Sequence, residues 1–143
     1  MKTNPSISGY YKIGDLKAYW NGKSWLGSSG IPDSWKWTVQ DFDWEEMPEE
    51  DDRRVLHSFP EAKLLEIKKD CVVGNHSHKI KTELFVLCKG YAILYIQGKS
   101  ATAMEIGEIY TVSPGEHHMF EIKAGSVLIG LNSMPFDPKD DYK

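Results

Sequence analysis

From about Phe59 onward, apolar and polar positions run in short blocks separated by turn residues, and no block carries the 3.6-residue period of a helix. Residues 62–68 alternate weakly, and Val72-Val73 leads into a pair of histidines. Residues 83–88 and 91–96 are nearly continuous strand-forming runs on either side of Lys89-Gly90. Residues 97–100 read as a turn, 101–106 as a strand and 107–112 as the next. Ser113-Pro114-Gly115 then reverses the chain into 118–122, and Ala124-Gly125 turns it into 127–131. Seven or eight short strands in roughly 75 residues predict an antiparallel sandwich or barrel. Within 83–88, Glu83, Phe85 and Leu87 alternate with Leu84, Val86 and Cys88, so both faces of that strand are apolar. If the Glu83 face looks inward, the other face needs cover from the N-terminal segment or a second subunit.

The first third differs in character. All five tryptophans (Trp20, Trp25, Trp35, Trp37 and Trp44) lie here, with Tyr10, Tyr11, Tyr19 and Phe42 among them. Asn21-Gly22 between aromatic strand formers predicts a hairpin with a type I′ turn. Residues 27–32 read as a loop, and the acidic run 45–54 as a solvated loop or short helix without calcium-loop spacing. The aromatic group reads as a lid or subunit interface, with a stacking platform for a sugar ring as the alternative. The expected organisation is one domain: an arm over 1–55, a barrel over 56–135 and a polar, extended tail over 136–143.

Composition narrows the function classes. The chain has 143 residues, 41% apolar, 12 glycines, 7 prolines and a net charge of −4. With no Lys/Arg cluster, neither nucleic acid nor an anionic membrane surface is an expected partner. No apolar run of about 18 residues is present to span a bilayer, and the N-terminus lacks a secretory apolar segment. Cys71 and Cys88 are expected to be buried, reduced thiols, which together with these features implies a cytoplasmic protein.

The candidate chemistry sits in residues 74–90. His76 and His78, two apart, face the same side of an extended strand. Imidazole nitrogens with a carboxylate oxygen suit zinc, iron, manganese, nickel or copper. Glu83 joins the pair if the chain turns back over 79–82, and His118 is placed to supply a fourth ligand. Lys79 and Lys81 lie in that turn, where solvated lysines are the default and a substrate-anion contact is the alternative. His117 reads as a surface residue or an acid/base, and His57 as a surface histidine.

These residues resemble the motifs of the cupin superfamily, small jelly-roll barrels with a metal in the mouth. His76-x-His78, four residues, Glu83, six residues and Gly90 match the first cupin motif, except that Asp70 stands at its leading glycine and Gly74 lies closer to the histidines. Gly107-Glu108, a strand, and Ser113-Pro114-Gly115-Glu116-His117-His118-Met119-Phe120 match the second, with His118 as the fourth ligand. The resemblance implies an all-β, antiparallel jelly-roll barrel holding a divalent transition metal at His76, His78, Glu83 and His118. It also raises the expectation of a homodimer.

His-x-His-Lys is similar to the nucleotide-sugar ketoisomerases, where a glutamine commonly stands at the Glu83 position. Retaining Glu83 and His118 places this chain nearer the metal-binding cupins. The resemblance implies an isomerase or epimerase acting on a sugar or sugar derivative, with His117 and Tyr110 as candidate catalytic bases. An iron-dependent dioxygenase or lyase on a small acid or thiol, and a non-catalytic ligand-binding cupin, are the alternatives.

Overall fold

The computed structural model describes residues 4–13, 16–27, 44–47 and 50–143, and its strand pairs there are all antiparallel. Four strands, β1 (Gly9–Ile13), β2 (Leu16–Trp20), β3 (Trp25–Gly27) and β4 (Trp44–Glu46), form an N-terminal sheet in the order β3-β2-β1-β4. The chain continues through β5 (Arg53–Phe59), β6 (Ala62–Ile67), β7 (Cys71–His76), β8 (Glu83–Lys89) and β9 (Ala92–Ile96). It then runs through β10 (Thr102–Ala103), β11 (Ile109–Val112), β12 (His118–Ile122) and β13 (Val127–Asn132).

These nine strands make two sheets, β10-β9-β12-β7 and β11-β8-β13-β6-β5, with no strand pair joining one to the other. The result is a jelly-roll sandwich, left open rather than closed by hydrogen bonds. Side-chain alternation explains the core. Phe85 and Leu87 point inward from β8, and meet Leu94 of β9 and Phe120 and Ile122 of β12. Phe85 and Phe120 pack edge to face at 4.6 Å. Fully burying an aromatic or aliphatic side chain of this kind contributes about 1.5–3 kcal/mol.

Sequence and structure part in several places. β5 occupies a stretch with no apolar alternation, Arg-Arg-Val-Leu-His-Ser-Phe; pairing with β6 holds it as an edge strand. β10 is only two residues long, because Met104 turns its buried side chain into the core and bonds Ala92 through its amide. The 21–24 hairpin forms with Trp20 opposite Trp25, not in the two-residue register of a type I′ turn. The Asn21 carboxamide accepts from the amides of Lys23 and Ser24 at 2.8 and 2.7 Å, which closes a four-residue loop. That register stacks two indoles, 4% exposed each, at 5.2 Å in a cluster with Tyr11 and Ala18. These two tryptophans are packed inside the arm and offer no face to a ligand. Trp35, Trp37 and Phe42 lie outside the described residues, as do residues 28–32 of the expected loop.

The arm is tied to the sandwich by Ser8, whose amide and hydroxyl each meet Ser58 Oγ at 2.9 Å, and by Tyr19, whose ring meets Phe136 at 4.8 Å. The cysteines are free but not buried: Cys71 is half-buried and Cys88 exposed, on the outward-facing half of β8. Among the described residues no helix is long and apolar enough to cross a membrane.

Gly90, between β8 and β9, has a φ of 95°, and a Cβ there would stand 2.2 Å from Ser126 Oγ and 2.6 Å from Ser126 Cα. Ser126 is fully buried and bonds the Tyr91 amide, so it has nowhere to retreat. Gly90→Ala is therefore expected to lower stability by about 3 kcal/mol, strain and overlap combined. A thermal melt should show a drop on the order of 10 °C; a melt within about 2 °C of wild type would contradict this packing.

Candidate metal centre

The site begins with an irregularity in β7. Cys71 and Val73 pack on the core while Val72 is exposed, so alternation alone would send residue 75 inward and His76 to solvent. Gly74 and Asn75 both adopt left-handed backbone, with φ of 86° and 65°, and the pairing with β12 slips there. Met119 pairs with Gly74 and His118 with His76, leaving Asn75 as the extra residue of a β-bulge. The bulge turns His76 to the same side as His118, and their rings stand 4.9 Å apart.

The other members arrive by more regular means. Glu83 opens β8 on its inward face, two residues before Phe85, and is 7% exposed. His118 opens β12 and is 1% exposed. His78 follows one residue after the Ser77 bridge to Tyr142 and is 3% exposed. Ligand-type atoms of His76, Glu83 and His118 all lie within 4.8 Å of one another. His78 Nε2 lies 3.2 Å from His76 Nε2 and 3.1 Å from Glu83 Oε1, and His118 Nε2 lies 3.4 Å from the same carboxylate oxygen. The structure thus brings together all four residues that the motif singled out.

The hydrogen bonds around the cluster fix which atoms face its centre. His78 Nδ1 donates to the carbonyl of Asp140, and His118 Nδ1 faces the carbonyl of Glu116 at 3.4 Å. Carbonyl oxygens only accept, so these Nδ1 atoms carry the proton and the Nε2 atoms keep their lone pairs. His76 Nδ1 lies 3.0 Å from Asp141 Oδ1, another acceptor. The Nε2 lone pairs of His78 and His118 are therefore turned toward the Glu83 carboxylate, and His76 Nε2 lies in hydrogen-bond range of His78 Nε2. Glu83 Oε1 and His118 Nε2 are buried and have no hydrogen-bond partner among the described residues. Such convergent orphan acceptors fit a cation. The donor set, three imidazoles and one carboxylate, fits a first-row transition ion.

Electrostatics agree. Burial pushes His76 down to about 4, and the neighbouring His78 and His118 add to the effect against Asp141. Burial likewise lowers His118. Burial alone would raise Glu83, but the His78 ring and the Lys81 charge together hold its carboxyl below the ordinary value. All three groups are held in their metal-binding protonation states at neutral pH.

CapF, the capsular polysaccharide assembling protein from Staphylococcus aureus, superposes with a TM-score of 0.54 at 22% identity, over 73% of this chain and 36% of its own. Another CapF structure gives 0.51 at 19% identity, over 63% and 28%. KdgF from Halomonas sp. gives 0.51 at 15% identity, over 71% and 95%. These are cupin-type proteins. The chain has the cupin fold. It spans about a third of the CapF chain and nearly all of KdgF. No protein-family model matches the chain, and no curated protein does.

The two candidate bases fare differently from the ligand set. His117 turns to the opposite side from His118 and bonds Asn75 Oδ1 at 2.9 Å. It lines an open recess of about 470 Å³ together with Tyr95, Gln97, Lys99 and an edge of His118. Tyr110 does not reach the cluster. Its hydroxyl accepts from the Glu105 amide at 2.7 Å, next to Met104, which bonds Ala92 at the end of β9 remote from Ile96 and His118.

Residues the sequence left in the background prove to matter. Lys81 is 4% exposed rather than solvated: its ammonium donates to Asn132 Oδ1 at 3.1 Å and stands 3.7 Å from Glu83 Oε2. The tail is not an extended exit, since Asp140 is 3% exposed and packs beside His78. The Gly-Asn pair preceding the histidines was the one local signal available for the bulge.

A pH dependence follows for the metal-free protein. Unfolded, His76 takes up its proton near 6.5; folded, only near 4. Between those values the unfolded chain binds more protons, so stability is full above 6.5 and is lost as pH falls toward 4. Urea melts across this range should show that decline, with a shallower slope in His76→Gln. Equal slopes for the two proteins would count against the buried, neutral His76.

Proposed function

We propose that this cupin is a metal-dependent isomerase or epimerase acting on a sugar or sugar derivative. The observation that carries the metal-dependent part is the convergence of the His76, His78 and His118 rings on the Glu83 carboxylate, each Nδ1 facing an oxygen. His76, His78, Glu83 and His118 would hold the ion. A bound divalent ion would supply Lewis acidity toward a carbonyl and neighbouring hydroxyl, which lowers the cost of removing the proton between them. Lys81 keeps Glu83 ionised and orients it through Oε2. The recess beside His118 presents Tyr95, Gln97, Lys99 and His117, groups suited to a polyhydroxylated ligand. The substrate class draws support from the likeness to CapF, a capsular polysaccharide assembling protein.

One observation favours a second reading, a cupin that holds a metal and binds a small ligand without turning it over. Tyr110 is bonded elsewhere and His117 is engaged by Asn75, so no base stands at the cluster among the described residues. Beyond the site, the outward residues Leu131 and Ile109 of the five-stranded sheet are 41% and 65% exposed, and we assign this face to a homodimer contact in a cytoplasmic protein.

Protein purified without added metal or chelator is expected to carry about one first-row transition ion per chain. Glu83→Gln and His118→Ala should each cut that content by ten-fold or more. Incubated with aldoses, ketoses and nucleotide sugars, the loaded protein should convert at least one, read by NMR. A loaded protein inert on the whole panel that still quenches its fluorescence with one of them would favour the binding reading.

A further inference from the structure

We propose that Asp140 and Asp141 are positioning residues, and that docking of the C-terminal segment and metal binding stabilise one another. This inference rests on the metal reading of the cluster.

The segment folds back for local reasons. Asp137 accepts from the Lys139 amide at 2.9 Å, and Pro138 at the first position starts a 3₁₀ turn over Pro138–Asp140. The Asp140 amide closes that turn on the Asp137 carbonyl at 2.9 Å. The reversal sends Asp140 inward, where its carboxylate accepts from the amides of Lys79 and Ile80 at 2.8 and 3.3 Å. Those are the two amides that follow His78, so Asp140 fixes the loop leaving that ligand. Its backbone carbonyl accepts from His78 Nδ1.

The next two residues repeat the pattern one step along. Asp141 Oδ1 lies 3.0 Å from His76 Nδ1. That oxygen is buried and has no aligned hydrogen bond, and the second carboxylate oxygen faces the exposed Lys143 ammonium at 3.7 Å. Tyr142 exchanges two backbone hydrogen bonds with Ser77, at 2.8 and 3.0 Å. Residues 140 to 142 therefore run antiparallel to 76 to 80 and meet the outer nitrogen of both histidines. Phe136 anchors the start of the segment, 6.3 Å from the His78 ring and beneath the Lys81 ammonium at 4.8 Å.

The consequence is chemical. The proton that the Asp140 carbonyl holds on His78 Nδ1 leaves the Nε2 lone pair facing the centre, and the Asp141 carboxylate beside His76 Nδ1 fixes which edge of that ring points outward. In the metal-free protein the two Nε2 atoms meet at 3.2 Å, within hydrogen-bond range. A cation would take the place of that contact, and a released segment would let the rings turn away from it. Each event thus favours the other, and the coupling is reciprocal.

The test uses the full chain with Zn²⁺, Ni²⁺, Fe²⁺ and Mn²⁺, each alone, in competition with a chromogenic chelator. Asp141→Ala is expected to weaken the best-bound ion by about 10–100-fold. Asp141→Asn, which keeps the side chain's shape and an oxygen beside Nδ1, should recover part of the loss. In wild type, that ion should slow hydrogen exchange across residues 133–143. Affinity within about two-fold of wild type in Asp141→Ala, or exchange of the segment indifferent to metal, would overturn the inference. Wild-type protein that takes up none of the ions would overturn the metal reading and this inference together. If Asp141→Ala does not fold, the exchange measurement on wild type decides alone.

Discussion

The structure turns on one electrostatic constraint: three imidazoles and a carboxylate crowd one end of the sandwich, with Glu83 Oε1 and His118 Nε2 buried and without hydrogen-bond partners among the described residues. Unpaired polar groups in such a place each cost on the order of 1–3 kcal/mol. A fold that keeps them together must compensate through packing elsewhere, or through a ligand that satisfies them at once. Both are visible here. Phe85 and Phe120 form the apolar floor beneath His118, while Lys81, itself bonded to Asn132, faces the far oxygen of the carboxylate.

The constraint propagates into backbone geometry. Strand β7 accepts two consecutive left-handed residues so that His76 can change sides, and a Cβ on Gly74 would come 3.4 Å from the His118 carbonyl oxygen. A side chain at that position would meet both backbone strain and close contact. The C-terminal segment accepts the burial of Asp140 and of one Asp141 oxygen for the same end. Bulge, floor and tail thus serve a single arrangement of ring nitrogens.

How much of this could be read from the chain varies with the range of the interaction. β8 and β12 were legible because a strand buried on one face shows its period in a few residues, and each begins with a predicted ligand. The spacing of the histidines and Glu83 therefore located the cluster. Lys81 was misplaced because a lysine in a turn looks solvated until its acceptors, Glu83 and the distant Asn132, are folded around it. The tail was misread for a stronger version of that reason: Asp140 meets Lys79 and His78 across roughly sixty residues of chain, and nothing in Phe-Asp-Pro-Lys-Asp-Asp betrays such partners. β5 escaped because edge pairing, not an apolar pattern, makes it a strand. The arm's hairpin was found from Asn21-Gly22, yet its register was set by the two indoles that had to meet.

The central claim is that His78 and His118 carry their proton on Nδ1 and that all three histidines present Nε2 to one ion. Long-range proton–nitrogen NMR of the imidazoles reads this directly. The metal-free protein should show the Nδ1–H tautomer for His78 and His118, and adding the bound metal should shift the Nε2 resonances of His76, His78 and His118 while leaving His57 unchanged. A proton found on Nε2 of His78 or His118, or resonances that ignore the metal, would contradict the account.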